Sequence, residues 1–356
     1  MGEDLTPSKV IRVLVVDDSA AGRAAISEIL ERLEGVAIIG RAMDGTEALA
    51  MVLRLQPDLI TLDLEMPRMD GFTLLRMLRA QRPTPVIVVS TDSRPEASIQ
   101  ALELGALDFV VKPNQLAGTA LQTMAQDLLG KIKATVSASL RELPPIRGGP
   151  PGQVTLSAVR ILPEQVSLMV IGASTGGPVT LQKILAAIPG RMGCSVVVAQ
   201  HMPADFTRAF AARLDKLLPH TVREAADGQL LVPGEVLIAP GGVRTTIGYN
   251  PDGQLVTRLT PRGPNDQYCP SVDMLFETAA ACVGRDLVAV VLTGMGSDGA
   301  VGARAVEELG GSVVTESEQT AVIPGMPNEA RAACEHAQVL RSDQIARLLW
   351  RLGRED

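Results

Sequence analysis

Twice along these 356 residues, short apolar runs alternate with stretches whose apolar side chains recur every three or four positions. This rhythm is the strongest constraint the chain carries. Runs of Val, Ile and Leu bounded by turn residues read as strands buried on both faces, and the 3.6 period reads as amphipathic helix. Strand and helix in alternation give a doubly wound parallel sheet. The first series has its apolar runs at Val10–Val16, Val36–Ile39, Asp58–Leu62, Pro85–Val89 and Phe109–Val111. The second has them at Val166–Ile171, Ser195–Ala199, Val236–Ala239, Leu287–Leu292 and Ser312–Thr315. Between Gly241 and Tyr268 the period drops to two, and Pro251-Asp252-Gly253 suggests a hairpin turn.

A stretch dense in Pro and Gly, including Leu143-Pro144-Pro145 and Gly148-Gly149-Pro150-Pro151-Gly152, separates the two series. Pro lacks a backbone donor and Gly is entropically costly to order, so residues 131–163 read as a flexible tether. The expected organisation is an α/β domain over 10–130, the tether, and a second, mostly parallel α/β domain over 164–356. A tether of this kind cannot act as a rigid rod.

Composition narrows the function. The net charge is −7 and aromatics are 2%, which leaves neither a clustered basic face nor stacking platforms for nucleic acid. No apolar run approaches the roughly 18 residues of a membrane span, and no signal-peptide pattern is visible. Four dispersed cysteines (Cys194, Cys269, Cys282, Cys334) form no CxxC, so free thiols and a cytoplasmic setting are expected.

Parallel strands place their C-termini on one sheet edge, where ligands bind. In the first domain Asp17 and Asp18 end the first strand, Asp63 the third, Ser90 the fourth and Lys112 the fifth. Converging carboxylates repel and favour a bound cation or a raised pKa, and an oxygen-only ligand set suits Mg²⁺. A cation and a hydroxyl beside them suit a phosphoryl group. This stretch resembles the receiver domain of two-component response regulators. The resemblance rests on Val15-Val16-Asp17-Asp18-Ser19, Leu62-Asp63-Leu64-Glu65-Met66-Pro67, Met69-Asp70-Gly71, Ser90 and Phe109-Val110-Val111-Lys112-Pro113. It implies that Asp63 accepts a phosphoryl group from a histidine kinase. Asp17 and Asp18 would then help bind Mg²⁺, Lys112 would contact the phosphoryl group, and Ser90 with Phe109 would report it.

Three motifs compete in the second domain. Gly172-Ala173-Ser174-Thr175-Gly176 fits the nucleophile-elbow pattern, with free N–H groups where the next helix begins. His201 follows a strand, and an imidazole is the simplest general base near neutral pH. Gly294-Met295-Gly296-Ser297-Asp298-Gly299 sits between strand and helix and fits the dinucleotide fingerprint, with Glu316 after the next strand. That reading makes the chain a receiver-controlled NAD-binding oxidoreductase, but Asp298 would repel a pyrophosphate, and Ser174 and His201 would have no role. Alternatively, Asp298 orients an imidazole while the turn supplies oxyanion donors. The α/β-hydrolase order of Ser, acid, His would instead require His336. His220, next to Leu218-Pro219 and without a motif, reads as a surface residue.

Both domains together, in this order, closely resemble the chemotaxis protein-glutamate methylesterases, the CheB family. The matching stretches are Gly172–Gly177, Ala199-Gln200-His201-Met202-Pro203, Ala239-Pro240-Gly241-Gly242, Pro270–Phe276, Leu292–Ala300 and Gly325-Met326-Pro327. The resemblance implies Ser174 as nucleophile, His201 as base and Asp298 as orienting acid. The expected activity is phosphorylation-activated hydrolysis of glutamate γ-methyl esters on chemoreceptors, releasing methanol, with deamidation of receptor glutamines also known in the family. Backbone N–H groups near Thr175 and Met295 are the oxyanion candidates. The implied partners are methyl-accepting chemoreceptors and a histidine kinase, with no nucleic acid, no membrane insertion and a monomeric chain. Mg²⁺ in the receiver is the one implied cofactor, and the esterase needs none. One departure stands out: family members often carry His after the Ala-Pro-Gly-Gly loop, where this chain has Gly242-Val243-Arg244-Thr245.

Overall fold

The computed structural model describes residues 10–91, 95–113, 118–139, 166–188, 190 and 192–352. They fall in two compact units, one within 1–141 and the other within 142–356.

The first unit alternates β1 (Ile11–Val16), α1 (Ala20–Glu31), β2 (Val36–Ala42), α2 (Gly45–Leu55), β3 (Leu59–Leu62), α3 (Gly71–Gln81), β4 (Val86–Thr91), α4 (Pro95–Glu103), β5 (Asp108–Lys112) and α5 (Gly118–Ser139). Its sheet has the order β2-β1-β3-β4-β5, parallel throughout. Val13, Val15, Ile87, Val89 and Val110 pack against Ile26, Leu30, Leu128 and Ile132. Burial on both faces explains why the strands read as unbroken apolar runs. The sheet order reverses between β1 and β3, so a crevice opens beyond their C-termini. Helix starts are fixed by side-chain caps: Ser19 Oγ accepts from Gly22 N, Asp44 from Thr46 and Glu47, and Asp70 from Thr73.

Helix α5 continues to Ser139, so the segment read as the start of the tether is helical. Ile132 and Ala134 are buried, and that packing carries the helix past Gly130. The remainder of the expected tether, 140–163, lies outside the described residues.

The second unit runs β6 (Leu168–Ala173), α6 (Gly177–Ala186), β7 (Ser195–Gln200), α7 (Phe206–Leu217), β8 (Thr221–Glu224), β9 (Glu235–Ile238), the strands β10 (Val243–Tyr249) and β11 (Leu255–Pro261), α8 (Val272–Val283), β12 (Leu287–Val291), α9 (Ala300–Glu308), β13 (Ser312–Glu316), α10 (Gly325–Ala333), β14 (Gln338–Leu340) and α11 (Ser342–Leu352). The sheet order is β14-β13-β12-β6-β7-β9-β8, again parallel. The first strand lies in the interior, with later strands added on both sides of it. The switch point therefore falls at the end of β6. Strands β10 and β11 form the expected antiparallel hairpin, whose turn is closed by Asn250 Oδ1 accepting from Asp252 N (3.0 Å) and Gln254 N (2.9 Å). The hairpin is tied to α8 by Ile247 N donating to Thr278 Oγ1 (3.1 Å).

Gly71 shows how tightly the fold closes around the first sheet edge. A Cβ there would fall 2.7 Å from Asp63 O and 2.8 Å from Leu64 Cα, both backbone atoms. We expect Gly71→Ala to destabilise the first unit by about 1–3 kcal/mol, the usual cost of overpacking. Hydrogen exchange at β1 and β3 under increasing urea measures the loss.

Candidate active site and receiver site

Ser174 follows the last residue of β6, at the switch point. Its N–H donates to Thr293 O (3.0 Å), while its carbonyl accepts from Gly177 N (2.8 Å) and Gln200 Nε2 (2.9 Å). The backbone of the turn is thus held from three sides, and the residue as a whole is half-buried. Gly294 is required beside it: a Cβ there would fall 2.8 Å from Ser174 Cβ. Among the described residues, neither Thr175 N nor Met295 N meets a protein acceptor. Both expected oxyanion donors therefore remain available in the turns that flank Ser174.

His201 follows β7, and its N–H donates to Ala173 O (2.9 Å), continuing the β6–β7 ladder up to Ser174. Its Nε2 meets Asp298 Oδ2 at 2.7 Å. Asp298 is buried and also accepts from Val272 N (2.8 Å), Asp273 N (2.9 Å) and Ser271 Oγ (3.0 Å), the first turn of α8 and its cap. Burial opposes its ionisation, but His201 and these backbone donors outweigh burial and hold its carboxyl below the ordinary range. The hydrogen bond at Nε2 leaves Nδ1 as the free nitrogen of His201. No hydrogen bond joins Ser174 Oγ to His201 among the described residues, and such contacts commonly tighten only with substrate bound.

Several neighbours take roles here that the sequence did not assign to them. Tyr268 stacks on the His201 ring, with centroids 4.5 Å apart and planes within 2°. Asp273 accepts from Gly299 N (2.8 Å) and Gly302 N (2.7 Å) and so fastens the start of α9. Burial, with the Asp298 charge adding to it, pushes the Asp273 carboxyl up to about 6. Beneath Ser174, Thr293 Oγ1 donates to Thr175 O (3.0 Å), and Thr293 N donates to Glu316 Oε2 (2.9 Å). Only a contact map could have revealed these roles, because each partner is distant in sequence.

Three alternative expectations meet the structure differently. Glu316 is buried and accepts from the Thr293 N–H, and Asp298 is bound to His201, so the Gly294–Gly299 turn lacks the free acid that a dinucleotide's ribose needs. His336 is exposed and precedes β14, on the sheet edge opposite Ser174, so the scheme requiring it does not assemble. His220 is not a surface residue: it is 4% exposed, its Nε2 meets Leu185 O at 3.2 Å, and burial lowers its pKa. Leu218 and the following strand β8 draw it inward, which an isolated His after Leu-Pro did not signal.

In the first unit, Asp17, Asp18 and Asp63 bring carboxylate oxygens within 4.8 Å of one another. Lys112 Nζ donates to Asp17 Oδ2 (2.7 Å) and Asp63 Oδ2 (2.8 Å). Burial pushes the Asp63 carboxyl above its ordinary range, with Lys112 opposing and Asp17 adding. For Lys112 burial works downward, but the two carboxylates win and raise it. An all-oxygen set with Asp18 open to solvent fits Mg²⁺, which keeps several waters. Ser90 and Phe109 are both buried. Lys131 of α5 donates to Phe109 O and lies 5.4 Å from the centre of its ring. No helix among the described residues is long and apolar enough to cross a membrane.

Comparisons with known proteins match both units. Residues 169–349 match the model of the CheB methylesterase family, and residues 13–124 that of the response regulator receiver domain. Protein-glutamate methylesterase/protein-glutamine glutaminase 6 of Anaeromyxobacter dehalogenans is 48% identical over 325 residues, 90% of either chain. The enzyme numbered 3 of Geobacter sulfurreducens, named for the same two activities, is 42% identical over 356 residues, 95% of this chain and 96% of that one. The crystal structure of the Thermotoga maritima CheB methylesterase catalytic domain superposes with a TM-score of 0.50 at 36% identity, covering 53% of this chain and 99% of that one. These matches give the oxidoreductase alternative no support.

The Asp273–Asp298 pair has a consequence for stability. A carboxyl whose native pKa (about 6) exceeds its ordinary value (3.8) binds its proton more tightly when folded. Its favourable contribution is full below the ordinary value and is lost as pH rises through the native one. Asp273→Asn keeps an acceptor for the α9 donors and removes the charge. The variant should therefore gain stability relative to the parent between about pH 4 and pH 7, on the order of 1 kcal/mol after solvent screening. Urea unfolding at both pH values measures it.

Proposed function

Because this chain belongs to the CheB family of methylesterases and carries an amino-terminal receiver domain, we propose that Ser174 is the nucleophile, His201 the general base and Asp298 the orienting acid of ester hydrolysis. The observation that carries this reading is the 2.7 Å His201–Asp298 hydrogen bond, formed at the sheet edge where Ser174 leaves β6. Asp298 fixes the tautomer with the proton on Nε2. Nδ1 then takes the Ser174 hydroxyl proton as Oγ attacks the γ-carbonyl carbon of a methylated glutamate. The carbonyl oxygen becomes an oxyanion, and the unengaged N–H groups of Thr175 and Met295 would hold it, each donor being worth roughly 3 kcal/mol in comparable sites. Collapse of the intermediate breaks the bond to methoxide, which takes the proton from Nδ1 and leaves as methanol. Water then attacks the acyl-serine as His201 takes its proton, and collapse of the second intermediate returns that proton from His201 to Ser174 Oγ, releasing glutamate and free Ser174. With a glutamine amide the same sequence expels ammonia.

The substrates in this reading are methyl-accepting chemoreceptors, and the receiver answers to a histidine kinase. Asp63 accepts the phosphoryl group. Asp17, Asp18 and Asp63 would hold Mg²⁺, which supplies charge neutralisation for the incoming phosphoryl oxygens. Lys112 changes partners, from the Asp63 carboxylate to the phosphoryl group, with buried Ser90 and Phe109 alongside to register the change.

Methanol release from methylated receptors tests both halves. Ser174→Ala and His201→Ala should each reduce turnover by on the order of 10⁴–10⁶. Fluorophosphonate should label Ser174 alone. A normal His201→Ala enzyme together with an inactive His336→Ala enzyme would overturn the assignment. For the receiver, Asp63→Asn should abolish stimulation by a small-molecule phosphodonor, and stimulation that survives the substitution would rule out Asp63 as the acceptor.

A further inference from the structure

Residues 262–271 connect the hairpin to α8, and one ion pair organises them. Arg244, near the start of β10, donates from Nε to Asp266 Oδ2 and from Nη2 to Asp266 Oδ1, both at 2.6 Å. This two-pronged geometry is available to a guanidinium and not to an ammonium. Asp266 Oδ2 also accepts from Gly263 N (2.7 Å), and Arg262 Nη2 donates to Asp266 O (2.8 Å). The Arg244 hydrogen bonds hold the Asp266 carboxyl well below the usual carboxylate range. The loop closes so tightly on the guanidinium that a Cβ at Gly263 would fall 2.2 Å from Arg244 Nη2.

Two residues beyond Asp266, Tyr268 lies face to face with His201. The next carbonyl, Cys269 O, accepts from Gly242 N (3.1 Å). Gly241, beside it, lies against the segment after His201: a Cβ there would fall 2.5 Å from Met202 O and Pro203 O. The loop is therefore anchored at Arg244 before Tyr268 and at Gly242 after it.

A single hydrogen bond to Nε2 fixes one atom of the imidazole but not the plane of its ring. A parallel ring at 4.5 Å fixes the plane, and with it the direction of Nδ1. An aromatic face also suits the cation formed when His201 takes a proton. We propose that Tyr268 is a positioning residue for His201, held in place by the Arg244–Asp266 ion pair. This inference rests on His201 being the base.

The test uses the full chain, methanol release from methylated receptors, and endpoint titration of active sites with fluorophosphonate. Tyr268→Phe keeps the ring and should stay within about threefold of the parent in kcat, since only interactions lost in the transition state lower it. Tyr268→Ala should lower kcat per titrated site tenfold or more, toward the roughly 10²-fold that a misplaced group costs, with KM little changed. Arg244→Lys should lower kcat in the same direction. Its combination with Tyr268→Ala should be no worse than Tyr268→Ala alone, because both act through one ring. If Tyr268→Ala yields no titratable sites, Tyr268→Leu carries the same comparison. A parental kcat in the ring-deleted variant, or a change confined to KM, overturns the role of Tyr268. Full additivity of the two substitutions overturns the link to the ion pair. Ser174→Ala in the same assay separates the readings: if it retains turnover the site itself is misassigned, whereas if it is dead while Tyr268→Ala is normal only this inference fails.

Discussion

The proposed catalytic unit depends on one buried carboxylate. Removing an ionised Asp from water costs several kcal/mol unless donors replace the solvent it loses. Asp298 gets them from His201, Ser271 and the N–H groups of Val272 and Asp273, brought together from the end of β7 and the start of α8. A helix N-terminus suits this task, because its unpaired N–H groups and its dipole both favour negative charge. Meeting that requirement holds His201 at the sheet edge where Ser174 leaves β6, and these donors keep Asp298 ionised, as the proposed orienting role requires. The glycines of the Gly294–Gly299 turn serve the same end. Gly294 admits Ser174, and Gly299 donates to Asp273, so a fingerprint that would elsewhere cradle a pyrophosphate here brings two protein segments together.

The receiver solves a related problem with different groups. Asp17 and Asp63 are both buried and share a single ammonium, Lys112. A divalent cation or a phosphoryl group would change the charge that Lys112 must balance, as the proposed switch requires. In both units the working residues stand at a point where the strand order reverses, the one place in a parallel sheet where a crevice is built in.

Much of this was legible in the sequence because parallel topology converts position in the chain into position in space. A residue one step beyond an apolar run lies at the ligand edge, so Asp17, Asp63, Lys112, Ser174 and His201 could be placed from the strands alone. What stayed hidden depended on pairings between loops. Tyr268 and Ser271 sit in a stretch without periodicity, Glu316 ends the β13 run but its sequence position suggests only a ribose acid, and the roles of all three follow from partners tens of residues away. Edge elements were hidden for another reason. Strand β8 has only Val222 fully buried and β14 has no fully buried residue, so neither carries the apolar run of a central strand. Helix α11 follows β14 directly, one step beyond the elements that the sequence pattern marks out. The Pro and Gly density that suggests a tether over 131–163 begins only at Pro144, and buried Ile132 keeps the helix running to Ser139.

The central claim is that Asp298 holds His201 by Nε2 and thereby leaves Nδ1 to act as the base. With three histidines in the chain, ¹⁵N NMR of labelled imidazoles can read the tautomer of each directly. The account predicts that neutral His201 carries its proton on Nε2, with a bare, acceptor-type Nδ1 resonance. A His201 protonated on Nδ1 instead would contradict it, because Asp298 would then face a nitrogen with no hydrogen to give.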